Sequence, residues 1–478
     1  MRNLTLLTDF YELTMMNGYL KCDTADRKAV FDVFYRGVGG FSYAVAAGLE
    51  QVVEYIQNLH FSDDDIEYLR SLNQFGEDFL TALKNFKFTG DIKAIPEGTI
   101  VFPYEPLLTV TATLFESQLV ETALLTFLNH QTLIATKALR LCESTKGQIL
   151  EFGLRRAQNA DAGIYGARAA YIGGCRSTSN VLAGKMFDIA VKGTHAHSWV
   201  MSFPDELTAF RKYAEIYPDG CLLLVDTYDT LKSGVPNAIK VFDELTAKGY
   251  RPLGIRLDSG DLAYLSKRAR AMLDAAGYDY VKIFASGDID EDVLLALQAQ
   301  DAKIDIFGIG TRLITSYTNP SLGGVYKLAA MENEKGELDP KIKVSNTPAK
   351  ITNPGLKKVV RIYDADNMAA ADLICLEDDE FDESKPLTIF HPEQIWKKTT
   401  FEKYHIEELM VDVFKGGKLV YKLPSLAEIG KRLDKQVASF YPEWTHIGGG
   451  LHNYISYGDF PMGQYGETST YKCQRGII

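Results

Sequence analysis

Residues Leu253-Gly-Ile-Arg-Leu-Asp-Ser-Gly-Asp-Leu-Ala-Tyr-Leu-Ser-Lys-Arg-Ala-Arg-Ala-Met-Leu-Asp-Ala-Ala276, followed by Val281-Lys-Ile-Phe-Ala285, carry the reading of the fold. An apolar run ends in carboxylates at Asp258 and Asp261. Leu262, Leu265 and Met272 then recur at helical spacing, and a second apolar run follows. Strand, helix and strand in that order predict neighbouring parallel strands with helices on their faces. The same grammar extends outward. Further runs are Ile149-Leu-Glu-Phe-Gly153, Ala169-Ala-Tyr-Ile-Gly173, Phe187 to Gly193, Leu222-Leu-Leu-Val-Asp226, Ile304-Asp-Ile-Phe-Gly308 and Gly324-Val-Tyr-Lys-Leu328.

Asn237 to Lys248 and Asp290 to Gln298 supply further helices between these runs. Eight candidate strands in about 180 residues predict an irregular α/β barrel, with a doubly wound open sheet as the competitor. Four strands end in polar residues: Thr194-His195, Asp226-Thr227, Asp258-Ser-Gly-Asp261 and Ser286-Gly-Asp288. In either architecture, ligands bind at that edge. The flanks mix helices with short strand-like pieces at Thr99-Ile-Val-Phe102 and Leu107-Leu-Thr-Val-Thr111, and Phe115 to Leu141 predicts one long helix. The expected organisation is an N-terminal mixed α/β part over 1–130, the barrel over 131–340 and a C-terminal part over 341–478. The two end parts together form a second, mixed α+β domain.

The 478 residues are 46% hydrophobic and carry a net charge of −12, which disfavours a nucleic-acid surface and requires any anion site to be local. Six scattered cysteines (Cys22, Cys142, Cys175, Cys221, Cys375, Cys473) form no metal or disulfide spacing and fit reduced thiols in a cytoplasm. Asp9 and Glu12 interrupt the N-terminal apolar residues, so neither a signal peptide nor a membrane segment is expected.

Phe187-Asp-Ile-Ala-Val-Lys-Gly-Thr-His-Ala-His-Ser198 reads as a buried strand delivering two histidines to the ligand edge. No clustered Cys, Asp or His completes a zinc set beside His195 and His197. A hydrogen-bonded structural histidine and a catalytic one both remain open. Asp258 and Asp261 flank Ser-Gly, with Arg256 just before them; they could hold a cation or sugar hydroxyls, while a helix N-cap explains one carboxylate. Gly287-Asp288 and Gly308-Ile-Gly310-Thr311-Arg312 offer backbone N–H groups to a phosphate, and Lys327 lies on the next predicted strand. The dinucleotide fingerprint lacks its third glycine, and no Walker A loop is present. Phe152 could stack on a ring and Arg155 grip a planar carboxylate, unless Arg155 and Arg156 are merely solvated surface arginines.

Taken in order, Thr8-Asp-Phe-Tyr11-Glu-Leu-Thr-Met, Gly39-Gly-Phe-Ser-Tyr-Ala-Val-Ala-Ala-Gly-Leu49, Glu151-Phe-Gly-Leu-Arg-Arg-Ala-Gln158, Ser177-Thr-Ser-Asn-Val-Leu-Ala-Gly184, Gly193-Thr-His-Ala-His-Ser198, Arg256-Leu-Asp-Ser-Gly-Asp261, Gly308-Ile-Gly-Thr311 and Gly323-Gly-Val-Tyr-Lys-Leu328 resemble the nicotinate phosphoribosyltransferase family. The resemblance implies condensation of nicotinate with phosphoribosyl pyrophosphate to nicotinate mononucleotide and pyrophosphate, the first step of NAD salvage from nicotinate. It also implies coupling to ATP hydrolysis through a phosphohistidine, and a place among ligases and glycosyltransferases. By the family motif Gly-Thr-x-Ala-His-Ser the phosphorylated residue is His197, with His195 at the variable position.

The same carry-over puts Tyr11, Phe152, Arg155, Thr194 and Arg256 around nicotinate, with Tyr11 contributed by the partner of a homodimer. Asp258 holds the ribose, Gly287 and Asp288 the pyrophosphate, and Gly310, Thr311 and Lys327 the ribose phosphate. Magnesium accompanies pyrophosphate, its protein ligands unassigned. Asn180 aligns with an Asp of the nicotinamide enzyme, and its neutrality tolerates the nicotinate carboxylate. The decarboxylating quinolinate enzyme, a silent sensor of NAD precursors and a glycoside hydrolase using Asp226 and Asp258 are the competing readings.

Overall fold

The computed structural model describes residues 3–37, 42–347, 350–390 and 396–441, together with the backbone of Ser456–Tyr457. Gly39, Gly40 and Phe41 of the second motif, and Cys473, lie outside the described residues. The chain forms two compact units, Ile134–Pro320 and a second one made of Met1–Leu133 with Ser321–Ile478.

The unit Ile134–Pro320 is built on a seven-stranded parallel sheet: β1 (Gln148–Glu151), β2 (Ser177–Thr178), β3 (Ala190–Val191), β4 (Leu222–Leu224), β5 (Gly254–Leu257), β6 (Lys282–Gly287) and β7 (Ile306–Ile309). Their spatial order is β3-β2-β1-β7-β6-β5-β4, every pair parallel. This is a parallel half-barrel with helices, the expected irregular α/β barrel. The longer helices between the strands are α1 (Ala160–Ile172), α2 (Val181–Phe187), α3 (Glu206–Ile216), α4 (Val235–Ala247), α5 (Leu262–Ala275) and α6 (Glu291–Ala299). Helix α4 buries Val235, Ala238, Val241, Phe242 and Leu245 at helical spacing. They pack with Leu223 of β4, Ile255 and Leu257 of β5 and Ile283 of β6, so each fully buried Val, Leu, Ile or Phe side chain contributes about 2 kcal/mol of transfer free energy.

Three expectations about the barrel strands change. Ala169 to Gly173 is the end of α1 and not a strand, because an Ala-rich segment capped by Asn159, whose side chain accepts the Ala162 N–H, favours helix. Phe187 to Gly193 is not a buried strand: Phe187 ends α2, Asp188 turns the chain at φ 54°, and only the exposed pair Ala190–Val191 is extended. Gly324 to Leu328, expected in the barrel, begins a strand Gly324–Glu332 that pairs antiparallel with Lys28–Tyr35.

The second unit carries that pairing in a seven-stranded antiparallel sheet, whose order is Leu338–Pro340, Gly324–Glu332, Lys28–Tyr35, Leu108–Thr113, Asp91–Ala94, Val411–Lys415 and Lys418–Leu419. Both chain ends therefore contribute to one sheet. A four-stranded sheet with Lys357–Tyr363 and Ala369–Leu376 at its centre completes the mixed α+β unit. The long helix expected over Phe115 to Leu141 is two, Leu114–Leu119 and Glu121–Glu143, separated at Val120. Among the described residues no helix is long and apolar enough to cross a membrane.

Candidate active site

The carboxyl ends of the parallel strands surround a cavity of about 550 Å³. Its wall contains Phe152 and Arg155 after β1, Thr194 after β3, Arg256 and Asp258 at the end of β5, Gly287 and Asp288 at the end of β6, and Gly310 and Thr311 after β7. Nine of the residues singled out from the sequence thus converge, because parallel strands in register deliver their last residues to one edge.

The charged centre is ordered by short contacts. Arg256 Nη2 donates to Asp258 Oδ1 at 2.6 Å, and Arg256 Nε donates to Ser286 Oγ at 2.7 Å. The Ser286 hydroxyl in turn donates to Asp258 Oδ1. Burial pulls the Asp258 carboxyl upward, but the Ser286 hydroxyl and the Arg256 guanidinium outweigh it and hold it below the usual carboxylate range. Asp258 is therefore an anion at neutral pH. Its backbone N–H is held by Asp226 Oδ2 at 2.8 Å, which also accepts from the Ser259 hydroxyl at 2.7 Å. Asp226 Oδ1 is buried without a hydrogen-bond partner.

His197 meets this centre through Nε2, 3.8 Å from Asp258 Oδ2, while Nδ1 is 3.1 Å from Thr227 Oγ1. His195 has a different environment. It is 8% exposed, its Nε2 accepts the Leu224 N–H at 3.2 Å, and its ring packs edge-on to Tyr213 with centroids 4.7 Å apart. Burial lowers its imidazole to about 4, so it stays neutral at ordinary pH. The two histidines are not equivalent.

Capping accounts for Asp261, which accepts the Tyr264 N–H at the start of α5, and leaves Asp258 to the cavity. Gly287 adopts φ +128°, and a Cβ there would lie 3.2 Å from the Asp258 carbonyl oxygen, so both its conformation and the approach of β5 call for glycine. Phe152 lies under the Arg256 guanidinium, 5.9 Å from ring centroid to Cζ. Arg155 and Arg156 are exposed on the short turn Leu154–Arg156.

Asn180 does not line the cavity. Its side chain is buried, accepting the Ala183 N–H at 3.1 Å as the cap of α2 and donating to the Gly163 carbonyl at 3.1 Å. Tyr11 and Lys327 belong to the second unit. There, burial and the neighbouring Glu121 raise the Tyr11 phenol, and burial lowers the Lys327 ammonium against the opposing pull of Glu121, 3.9 Å away. Lys327 Nζ donates to the Tyr326 carbonyl at 2.7 Å. Thr227 and Ser286 were visible only as polar strand ends, and Asp226 otherwise only as a carboxylate of the glycoside hydrolase reading; nothing in the local sequence announces that they bind Asp258 and His197. Among the described residues no group of three His, Cys, Asp or Glu side chains is arranged to hold a metal.

Comparison with known proteins agrees along the chain. Residues 6–129 match the model of the nicotinate phosphoribosyltransferase N-terminal domain, residues 147–368 the nicotinate phosphoribosyltransferase family and residues 356–447 its C-terminal domain. A nicotinate phosphoribosyltransferase of Bacillus subtilis is 46% identical over 93% of this chain and 91% of its own length. The Homo sapiens protein of that name is 33% identical, with 92% of each chain covered. The crystal structure of human nicotinic acid phosphoribosyltransferase superposes with a TM-score of 0.80 at 30% identity, over 92% of this chain and 95% of that one.

Proposed function

The chain belongs to the nicotinate phosphoribosyltransferase family, and from that premise we propose that it condenses nicotinate with phosphoribosyl pyrophosphate, coupled to ATP hydrolysis through a phosphohistidine at His197. The observation that carries the reading is a cavity lined by Arg256, Ser286, Asp258 and the glycines at the ends of β6 and β7, with His197 beside Asp258.

In the proposed reaction the pyridine nitrogen uses its free lone pair to form the bond to C1 of the ribose, while the bond from C1 to pyrophosphate oxygen breaks and its electron pair leaves with pyrophosphate. No proton is transferred. What the protein must do is steady positive charge growing on the sugar and negative charge on the leaving group. The ionised Asp258 suits the first task and Arg256 the second. Phe152 would stack on the pyridine ring and Arg155 would face its carboxylate, with Thr194 beside them; Asn180, buried and engaged at both ends of its amide away from the cavity, would not touch the substrate. Gly287 and Asp288 would border pyrophosphate, and Gly310 and Thr311 the ribose phosphate.

At His197, donation from Nδ1–H to Thr227 Oγ1 leaves the Nε2 lone pair free to take the γ-phosphoryl group of ATP, with ADP leaving; water later cleaves the N–P bond. Magnesium fits the residues present, since Asp226 keeps a buried oxygen without a partner. When bound, it would be held by pyrophosphate oxygens with Asp226 and would neutralise charge on the leaving group. The exposed position of Tyr11 on the helix Phe10–Lys21 supports its reaching the active site of a second subunit in a homodimer. The unpaired state of Cys22, Cys142, Cys175, Cys221 and Cys375 supports a cytoplasmic location.

Purified protein supplied with nicotinate, phosphoribosyl pyrophosphate and labelled ATP tests the whole reading. Nicotinate mononucleotide should form, and acid-labile label should map to His197. Label on His195, equal turnover of nicotinamide, or product only from quinolinate would each overturn it.

A further inference from the structure

Strands β3 and β4 are the two edges of the parallel sheet, and among the described residues no backbone ladder joins them. An edge strand leaves N–H and C=O groups in need of partners. Here two consecutive side chains supply them. Thr194 Oγ1 donates to the Leu222 carbonyl at 2.7 Å, and His195 Nε2 accepts the Leu224 N–H at 3.2 Å. Tyr213 on α3 packs its ring against His195 and so backs the seam. Two residues further on, His197 contacts Thr227, three residues beyond Leu224. Both histidines are therefore tied to β4 and the turn that follows it.

We propose that Thr194 and His195 form a side-chain seam that closes the barrel between β3 and β4, and that His195 is a positioning residue fixing His197 against Thr227 and Asp258. A ring that merely filled space could be replaced by any apolar side chain of similar size. That replacement would leave the Leu224 N–H, on a residue 1% exposed, without an acceptor. The kinetic side of this inference rests on the reading of His197 given above; the seam itself does not.

The test compares His195→Leu, which keeps apolar bulk without an acceptor, with His195→Gln, whose amide oxygen can replace Nε2. Amide exchange is read over residues 221–227 of the full-length protein, beside kcat, KM for nicotinate and label transferred from ATP to His197. His195→Leu should speed exchange at Leu224 by about fivefold or more. It should also lower kcat by about tenfold, with KM for nicotinate within about twofold of the original. His195→Gln should recover both. Tyr213→Leu, which removes the ring packed against His195, should show a smaller loss in the same direction and serves if His195→Leu does not fold. Unchanged exchange in His195→Leu, unchanged kcat despite faster exchange, or failure of His195→Gln to rescue would overturn the inference. If the unaltered protein takes no label on His197, the phosphohistidine reading fails, while exchange and kcat still decide the seam.

Discussion

Gly308 offers the sharpest perturbation of the proposed nicotinate pocket. It sits inside β7, paired with Leu150 of β1 and Ser286 of β6, and its backbone has no positive φ. Alanine is therefore acceptable to the main chain. The added Cβ, however, would lie 2.6 Å from Cδ2 and 2.8 Å from Cε2 of Phe152. Carbon atoms rest at about 3.5–4.0 Å, so the ring must move by about 1 Å, away from β7. A displacement of that size costs up to about 100-fold in rate, equivalent to about 2.7 kcal/mol at the transition state. Steady-state kinetics of Gly308→Ala should show most of the loss in kcat/KM for nicotinate, with KM for phosphoribosyl pyrophosphate within about twofold. The argument makes a second demand. If Phe152 transmits the effect, Phe152→Ala and the double variant Phe152→Ala/Gly308→Ala should have equal kcat/KM. An unperturbed kcat/KM for nicotinate in Gly308→Ala, or a further loss in the double variant, would refute the assignment of the ring to the substrate.

Other expectations follow from the charges. Ser286→Ala removes the donor that helps keep Asp258 ionised, so the acid limb of the kcat/KM profile should move to higher pH; an unmoved limb would mean that Asp258 does not govern it. Lys137→Met removes the nearer cation from Glu291, whose side chain is 8% exposed, and leaves the longer 3.5 Å contact to Arg140. It should destabilise the protein by about 3–5 kcal/mol in denaturant titrations, and adding Glu291→Gln should recover much of that. His195 gives a pH dependence of stability. Burial foremost, then the Arg256 and His197 charges, lower its imidazole from 6.5 to about 4, against the pull of the Ala196 carbonyl. The unfolded chain then binds the proton more readily, so this contribution is complete above pH 6.5 and is lost as pH falls toward 4, by about 3 kcal/mol. Melting curves from pH 4 to 7 should show a shallower decline for His195→Gln; parallel curves would exclude the effect.

What the sequence disclosed and what it hid have physical reasons. Strands β1 and β4 to β7 were legible as short apolar runs because parallel strands are buried on both faces. Ala169 to Gly173 looked the same and is helical, since a segment buried all round loses its period and only the upstream Asn159 cap distinguishes it. Strands β2 and β3 have two residues each, too few for any pattern. The strand Gly324–Glu332 was recognised as extended but not as part of the other sheet, because pairing partners far apart in the chain leave no local trace. At the site, residue types just beyond the strands were readable. The bonds from Asp226 to the Asp258 backbone and from Ser286 to its carboxylate were not, because they depend on which strands become neighbours. For Asn180 the misleading cue was alignment with a specificity residue; an Asn directly before a helix carries a capping signal of its own.

The parallel strands keep two kinds of information at separate addresses. Leu222, Ile255, Ile283 and Phe307 lie within the strands and are buried, whereas Asp226, Asp258, Asp288 and Thr311 come after or at the end of them. Substitutions within the strands should register in folding yield, and those beyond them in turnover. That separation is an evolutionary resource: a lineage could revise what the pocket accepts by changing the residue after a strand, while the strand that presents it retains the stability on which any new activity depends.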